Sequence, residues 1–257
     1  MSPTEHLNYV RAATGQLFRS LERLTDDLAR EPSVLPGWTR GHVLTHLARN
    51  ADANWRVSDA ALDGLKVPMY AGGRDERNRG IDEGAGRSAS ELIADVRRSA
   101  TQLQAHWNQL AEAEWQLETQ PGGPDTPLRT VADGLLNRWR EVAVHHADLN
   151  LGYSSADWSP AYIATDLPRV INSMPGWAKD APRLMSWFLR DDTTGNAWIV
   201  SARGIRPGVG SATHMLHAPG HALLAWLLGR DPTVPIGVER TSDQSTALAL
   251  PRFFPFG

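Results

Sequence analysis

Apolar side chains recur at helical spacing through the first 150 residues, and strong breakers interrupt them at intervals. That alternation most narrows what the chain can fold into. Leu7, Val10, Leu17, Leu21, Leu24 and Leu28 lie on one stripe of a helix over residues 4–30, which Glu31-Pro32 ends. Leu35-Pro36-Gly37-Trp38-Thr39 reads as a turn, with Thr39 placed to cap a second helix. That helix spans residues 40–62 and carries Val43, Leu44, Leu47, Trp55 and Leu62. Ser88 and Glu91 stand at capping-box spacing at the head of a third, over residues 88–117. After the breaker cluster at 120–127, a fourth covers 130–149 and Gly152 closes it. Between the second and third lies the polar stretch 64–86, with Pro68, Gly72, Gly73 and the charge run from Arg74 to Arg79. It is too long for a helical hairpin and reads as a crossover. Four helices with one long crossover predict a four-helix bundle over residues 1–153.

The pattern changes after Gly152. Residues 154–160 read as a linker and 162–171 as a helix. Residues 183–189 and 197–202 are strand-like, separated by a turn at 191–195, and 211–217 reads as a third strand. Residues 219–229 form a short helix that stops at Gly229. The tail at 250–257 is apolar and proline-interrupted, and is expected to dock on the protein, since three exposed Phe would invite association. Residues 154–257 therefore read as a small α+β domain. The chain is expected to be a two-part molecule, α followed by α/β, with no internal repeat.

Composition removes several functional classes. At roughly 100–200 residues per domain, 257 residues make one large domain or two small ones. A hydrophobic content of 41% excludes wholesale disorder. The chain has no cysteine, which excludes disulfides, a cysteine nucleophile and thiolate metal sites. A formal net charge of −3 argues against nucleic acid as the main partner. No stretch approaches the roughly 20 apolar residues of a membrane helix. MSPTEHLNYVRAATG lacks the apolar core of a secretory signal, so a cytoplasmic location is expected. Of the 26 basic residues all but Lys66 and Lys179 are arginine, a skew that fits a GC-rich genome and removes much lysine chemistry. The ten Trp are expected to fill the core or a pocket wall.

The strongest chemical signal is the string Arg138-Trp-Arg-Glu141-Val-Ala-Val-His145-His146-Ala-Asp148. Glu141 and His145, four apart, share one helix face. His42 and His46 show the same spacing on the second helix. Facing helices of a bundle bring ligands together in its interior, and a third histidine would complete a His₂Glu set with an open fourth position, as in catalytic zinc sites. The same Glu–His pair also reads as a surface ion pair. Val142, Val144 and Leu149 place part of this helix in the core, where a carboxylate needs a partner. Metal, Arg138 or Arg140 could each serve, and spacing does not choose among them.

In the order and spacing of several short pieces the chain resembles the mycothiol-dependent maleylpyruvate isomerases, within the DinB-like superfamily of metal-binding helical bundles. Those pieces are Leu35-Pro-Gly-Trp-Thr-Arg-Gly-His-Val-Leu-Thr-His46, Val67-Pro-Met-Tyr70, Glu76-Arg-Asn78, the string from Arg138 to Leu149, and Leu228-Gly-Arg230. The resemblance implies a DinB-like bundle whose metal ligands are His46, Glu141 and His145, holding zinc or another divalent metal. His42 then lines the pocket or supports the ligands. His146 points about 100° away from His145 on the helix and is not expected to share the ion. Arg230 falls at a functional arginine of the family and is expected to be catalytic, facing the metal across a cleft between the domains. Arg77, Asn78 and Arg230 are expected to bind substrate. No residue is assigned to the thiol.

The implied activity is cis–trans isomerisation of maleylpyruvate to fumarylpyruvate. Mycothiol, as a thiolate, adds reversibly to the double bond. Its partners are then a small thiol and a small electrophile, with no nucleic acid and no membrane. Three alternatives stand beside it. One is a mycothiol S-transferase acting on another electrophile or S-conjugate. Another is a metal-dependent hydrolase with water as fourth ligand, and the last a binding module with a vestigial site.

Overall fold

The structure, a computed structural model, describes residues 2–174, 186–201, 203–208, 210 and 212–239. Contacts divide the chain into two compact units, Met1–Tyr153 and Ser154–Gly257. The expected helical bundle followed by a small sheet-containing part is present. Among the described residues no helix is long and apolar enough to cross a membrane.

In the first unit, α1 (Pro3–Leu21) begins at Ser2, whose hydroxyl accepts from the Glu5 N–H while the Glu5 carboxylate accepts from the Ser2 N–H. The run expected over 4–30 is interrupted. The Thr25 side chain accepts from the Leu28 N–H and starts a separate short helix, α2 (Asp26–Arg30). Leu24 is nonetheless buried, so the apolar stripe survives the break. Thr39 caps α3 (Arg40–Leu62). The crossover is not a plain loop, because it contains α4 (Gly73–Ala85). Only Ile81 and Ala85 of that helix are buried, which leaves almost no apolar period to read. Ser88 caps α5 (Ala89–Trp107), which stops ten residues short of the expected end; a 3₁₀ turn (Glu112–Gln116) follows. β1 (Glu118–Thr119) and β2 (Arg129–Thr130) then pair antiparallel around the breaker cluster. Thr130 and Asp133 form a capping box on α6 (Val131–Asp148).

Helices α1, α3, α5 and α6 pack together, with α4 against α3. Their core includes Leu17, Leu21, Leu44, Leu47, Leu92, Val96, Val142 and Leu149. Arg49, Arg87 and Arg98 converge on Asp95 and tie α3 to α5. Burial raises the Asp95 carboxyl, and the three guanidinium groups outweigh it, holding it below its usual value.

The second unit holds α7 (Pro160–Ser173) and the strands β3 (Ser186–Asp191), β4 (Ala197–Ser201), β5 (Gly204–Pro207), β6 (His214–Ala218) and β7 (Gly237–Glu239). The helix α8 (Gly220–Leu227) lies between β6 and β7. Sheet order is β5-β4-β3-β6-β7, with β3 and β6 parallel and the other neighbours antiparallel. The β3–β4 turn lies where it was expected, with Asp191 accepting from the Thr193 N–H. Strands β5 and β7 are short and lack a buried apolar run, so periodicity misses them. Residues 183–185, 202 and 211, expected in strands, and the tail at 250–257 lie outside the described residues.

Backbone proximity fixes α4 against α3. A Cβ on Gly41 would collide with the Ala85 carbonyl oxygen. Gly41→Ala, favourable by helix propensity alone, is therefore expected to lower stability by about 1–3 kcal/mol through overpacking. Urea unfolding at constant slope measures it, and an unchanged or raised midpoint would contradict the close approach.

Candidate metal centre

Two buried arginines set the register between α3 and α6. Arg40, at the start of α3, donates from Nε to the Leu149 carbonyl at 2.7 Å and from Nη1 to Glu31 at 2.7 Å. Arg138, on α6, donates from Nη1 to the Leu47 carbonyl at 2.9 Å and to Asn50 Oδ1 at 2.8 Å. Burial lowers the Arg138 pKa to about 10 against the opposing pull of Glu141 and Tyr70. It remains a cation at neutral pH.

Between these clamps the structure brings His46, Glu141 and His145 together. One donor atom from each lies within 4.8 Å of the others, a spacing that could hold one metal ion. His46 Nε2 is 2.8 Å from Glu141 Oε2, and His145 Nε2 is 3.4 Å from the same oxygen. The two imidazoles meet edge to face at 4.7 Å. Both histidines are buried, and the Glu141 side chain is 15% exposed. Burial pushes the His46 pKa down to about 4, outweighing Glu141, so this imidazole is neutral. Burial works against ionisation of Glu141, but hydrogen bonds and charge from His145 and His46 hold its carboxyl well below the usual range. Burial likewise opposes charge on His145, while Asp148 and Glu141 raise its pKa overall. A neutral imidazole and an ionised carboxylate are the forms that bind a divalent cation.

The outer contacts are unequal. His145 Nδ1 lies 2.9 Å from buried Asp148 Oδ2, the carboxylate–histidine arrangement that turns Nε2 toward a metal. Behind His46 stands a cation instead, with Arg77 Nη2 3.4 Å from Nδ1. A guanidinium only donates, so Nδ1 accepts and Nε2–H points at Glu141. Metal binding at Nε2 would place the proton on Nδ1 and set two donors face to face. Arg77 must then withdraw from His46. The donor set fits a divalent cation on those terms.

The other sequence candidates divide. Arg77, on α4, stands 5.9 Å over the Trp38 ring and donates to Asn78 Oδ1 at 3.0 Å. Asn78 is exposed and holds Arg77. His42 is a helix cap: its Nδ1 meets the Thr39 N–H at 3.2 Å and Oγ1 at 2.7 Å, and Trp38 stacks on it at 6.2 Å. His146 is not in the trio. Its Nε2 lies 2.8 Å from Ser20 Oγ on α1, and its ring stacks on Tyr153 at 3.7 Å. The Glu141 carboxylate faces His46 and His145, while Arg138 hydrogen-bonds to Leu47 and Asn50. Arg230, in the second unit, donates from Nη1 to the Leu228 carbonyl at 2.8 Å and from its backbone to Ala225. Asp148 was missed as a supporting residue, although its place three after His145 on one helix was visible. Trp38, 5.7 Å from His46, carries no signal in the sequence beyond the motif that contains it.

Comparisons with known proteins follow the same lines. A family model described as the mycothiol maleylpyruvate isomerase N-terminal domain matches residues 10–150. A crystal structure of the mycothiol-dependent maleylpyruvate isomerase is similar to the chain with a TM-score of 0.81 and 21% identity, covering 98% of each chain. A mutant of that isomerase gives the same values. At that identity the likeness is one of fold. No curated protein matches the chain significantly.

Gently purified protein is expected to bind about one divalent metal per chain. His46→Ala, Glu141→Ala and His145→Ala should each remove most of it. His146→Ala should keep the metal and lose about 1–3 kcal/mol of stability with its bond to Ser20 and its stacking. Elemental analysis with thermal melts separates the two effects, and an empty site in the His146 variant with a full one in the His145 variant would refute this ligand set.

Proposed function

Since the chain belongs to the family of the mycothiol maleylpyruvate isomerase N-terminal domain, we propose that it is a zinc- and mycothiol-dependent isomerase converting maleylpyruvate to fumarylpyruvate. The observation that carries this reading is the buried His46–Glu141–His145 trio in a chain with no cysteine of its own. His46, Glu141 and His145 would hold the cation, which would supply an acidified thiol for reversible addition to the cis double bond.

The chain's residues set the conditions for that chemistry. Glu141 is the one anionic ligand of the three, so a divalent cation here keeps a unit of positive charge and favours an anion in its open position. Asp148 fixes the tautomer of His145. Trp38 walls one side of His46 against water. Arg77, displaced from His46 by metal binding, is free to take a substrate carboxylate, with Asn78 steadying its other nitrogen. Arg230 keeps the catalytic role assigned to it from the sequence, as a second cation for the dicarboxylate.

The test offers maleylpyruvate to zinc-loaded protein with and without mycothiol, followed by ultraviolet absorbance. Turnover is expected only when both metal and thiol are present, with the thiol regenerated. Stoichiometric loss of thiol would make the protein an S-transferase, and thiol-independent turnover a hydrolase. Arg230→Ala should leave metal content unchanged and cut turnover about 10²-fold, roughly 2.7 kcal/mol. Arg230→Lys should not restore it, because an ammonium lacks the planar two-point contact. Wild-type rates in Arg230→Ala would remove Arg230 from the active site.

A further inference from the structure

Donors outnumber acceptors beside the trio. The Tyr70 hydroxyl is buried and its O–H meets no acceptor among the described residues; the side chain that hydrogen-bonds to it is Arg77, which can only donate. Glu141, Arg77 and Arg138 all act on it electrostatically, so the four groups share one locality. The single carboxylate among them, Glu141, already faces both imidazoles through Oε2. Among the described residues neither guanidinium is in ion-pair contact with a carboxylate: Arg138 is bonded to Leu47 and Asn50, and Arg77 to Asn78, His46 and the Tyr70 hydroxyl.

Tyr70 is held in place from both sides. The Met69 N–H donates to the Pro121 carbonyl at 2.9 Å. Arg56 donates to the Pro68 and Met69 carbonyls, and the Tyr70 carbonyl accepts from the Gly73 N–H at 3.1 Å. A pinned backbone therefore carries a hydroxyl whose own proton finds no acceptor among the described residues. Buried polar atoms of that kind are uncommon and destabilising unless a ligand completes them.

We propose that Tyr70 is a substrate-binding residue, its hydroxyl donating a hydrogen bond to a carboxylate of the bound substrate in a subsite whose positive charge comes from Arg138 and Arg77. This rests on the isomerase reading in taking the substrate to be a small dicarboxylate. Burial, followed by the charge on Glu141, pushes the phenol up to about 12, so Tyr70 is a neutral donor at working pH. Arg138, immobilised by Leu47 and Asn50, supplies a fixed field, and the phenol adds direction without a second mobile charge.

Tyr70→Phe keeps the ring and removes only the hydroxyl. Succinate is the probe, because it has two carboxylates and no double bond for a thiol to attack. Calorimetric titration of the zinc-loaded full chain should show succinate binding weakened about tenfold or more in Tyr70→Phe. The variant should keep its zinc content, and the melting temperature of its metal-free form should not fall. The KM for maleylpyruvate should rise with the succinate dissociation constant. Equal succinate affinity in the two proteins, or no succinate binding by the wild type at tens of millimolar, overturns the proposal. So does joint loss of zinc, thermal stability and binding, which would mark Tyr70 as structural. Tyr70-dependent succinate binding in a protein that does not isomerise maleylpyruvate would sink the isomerase reading and leave this subsite standing.

Discussion

A carboxylate sunk between two helices is the constraint around which the first unit is arranged. Glu141 could not stay ionised there alone, since an uncompensated buried charge costs several kcal/mol. It is ionised because His46 and His145 face the same oxygen and Arg138 adds positive charge nearby. His46 comes from a helix 95 residues earlier in the chain. A slip of one residue between α3 and α6 would turn it about 100° away and leave Glu141 without its second partner. Arg40 and Arg138 prevent such a slip by fastening side chains of each helix to the backbone of the other or of its end.

The surroundings of α3 divide the labour. On one side the arginines around Asp95 hold α5. On another, glycine at position 41 lets the end of α4 come within backbone contact. That approach carries Arg77 to the rear nitrogen of His46. The same geometry that completes the hydrogen bonding of His46 would therefore place a cation to be released if a metal bound. Tyr70 lies just before α4, so the crossover delivers both the movable cation and the fixed hydroxyl to the centre.

Misreadings of the sequence share a cause. α4 escaped notice because a helix packed against one neighbour by two buried residues has hardly any apolar period. The long first helix was overextended because Leu24 and Leu28 continue the stripe, while the local Thr25 cap decides the backbone. His42 shares a face with His46, and its imidazole also closes the capping box of its own helix.

By itself the sequence determined whatever a few turns of one helix settle. The caps at Thr39, Ser88 and Thr130 start three of the bundle's helices, and the four-residue interval puts Glu141 and His145 on one face. These are fixed by the 3.6-residue period and by the unsatisfied N–H groups of each first turn. Tertiary structure alone decided which histidine crosses to Glu141, where the Arg138 guanidinium goes, and that the Tyr70 O–H is buried without an acceptor among the described residues. Those outcomes depend on the register and separation of elements far apart in the chain. Many packed side chains fix that register together, and no local pattern encodes it.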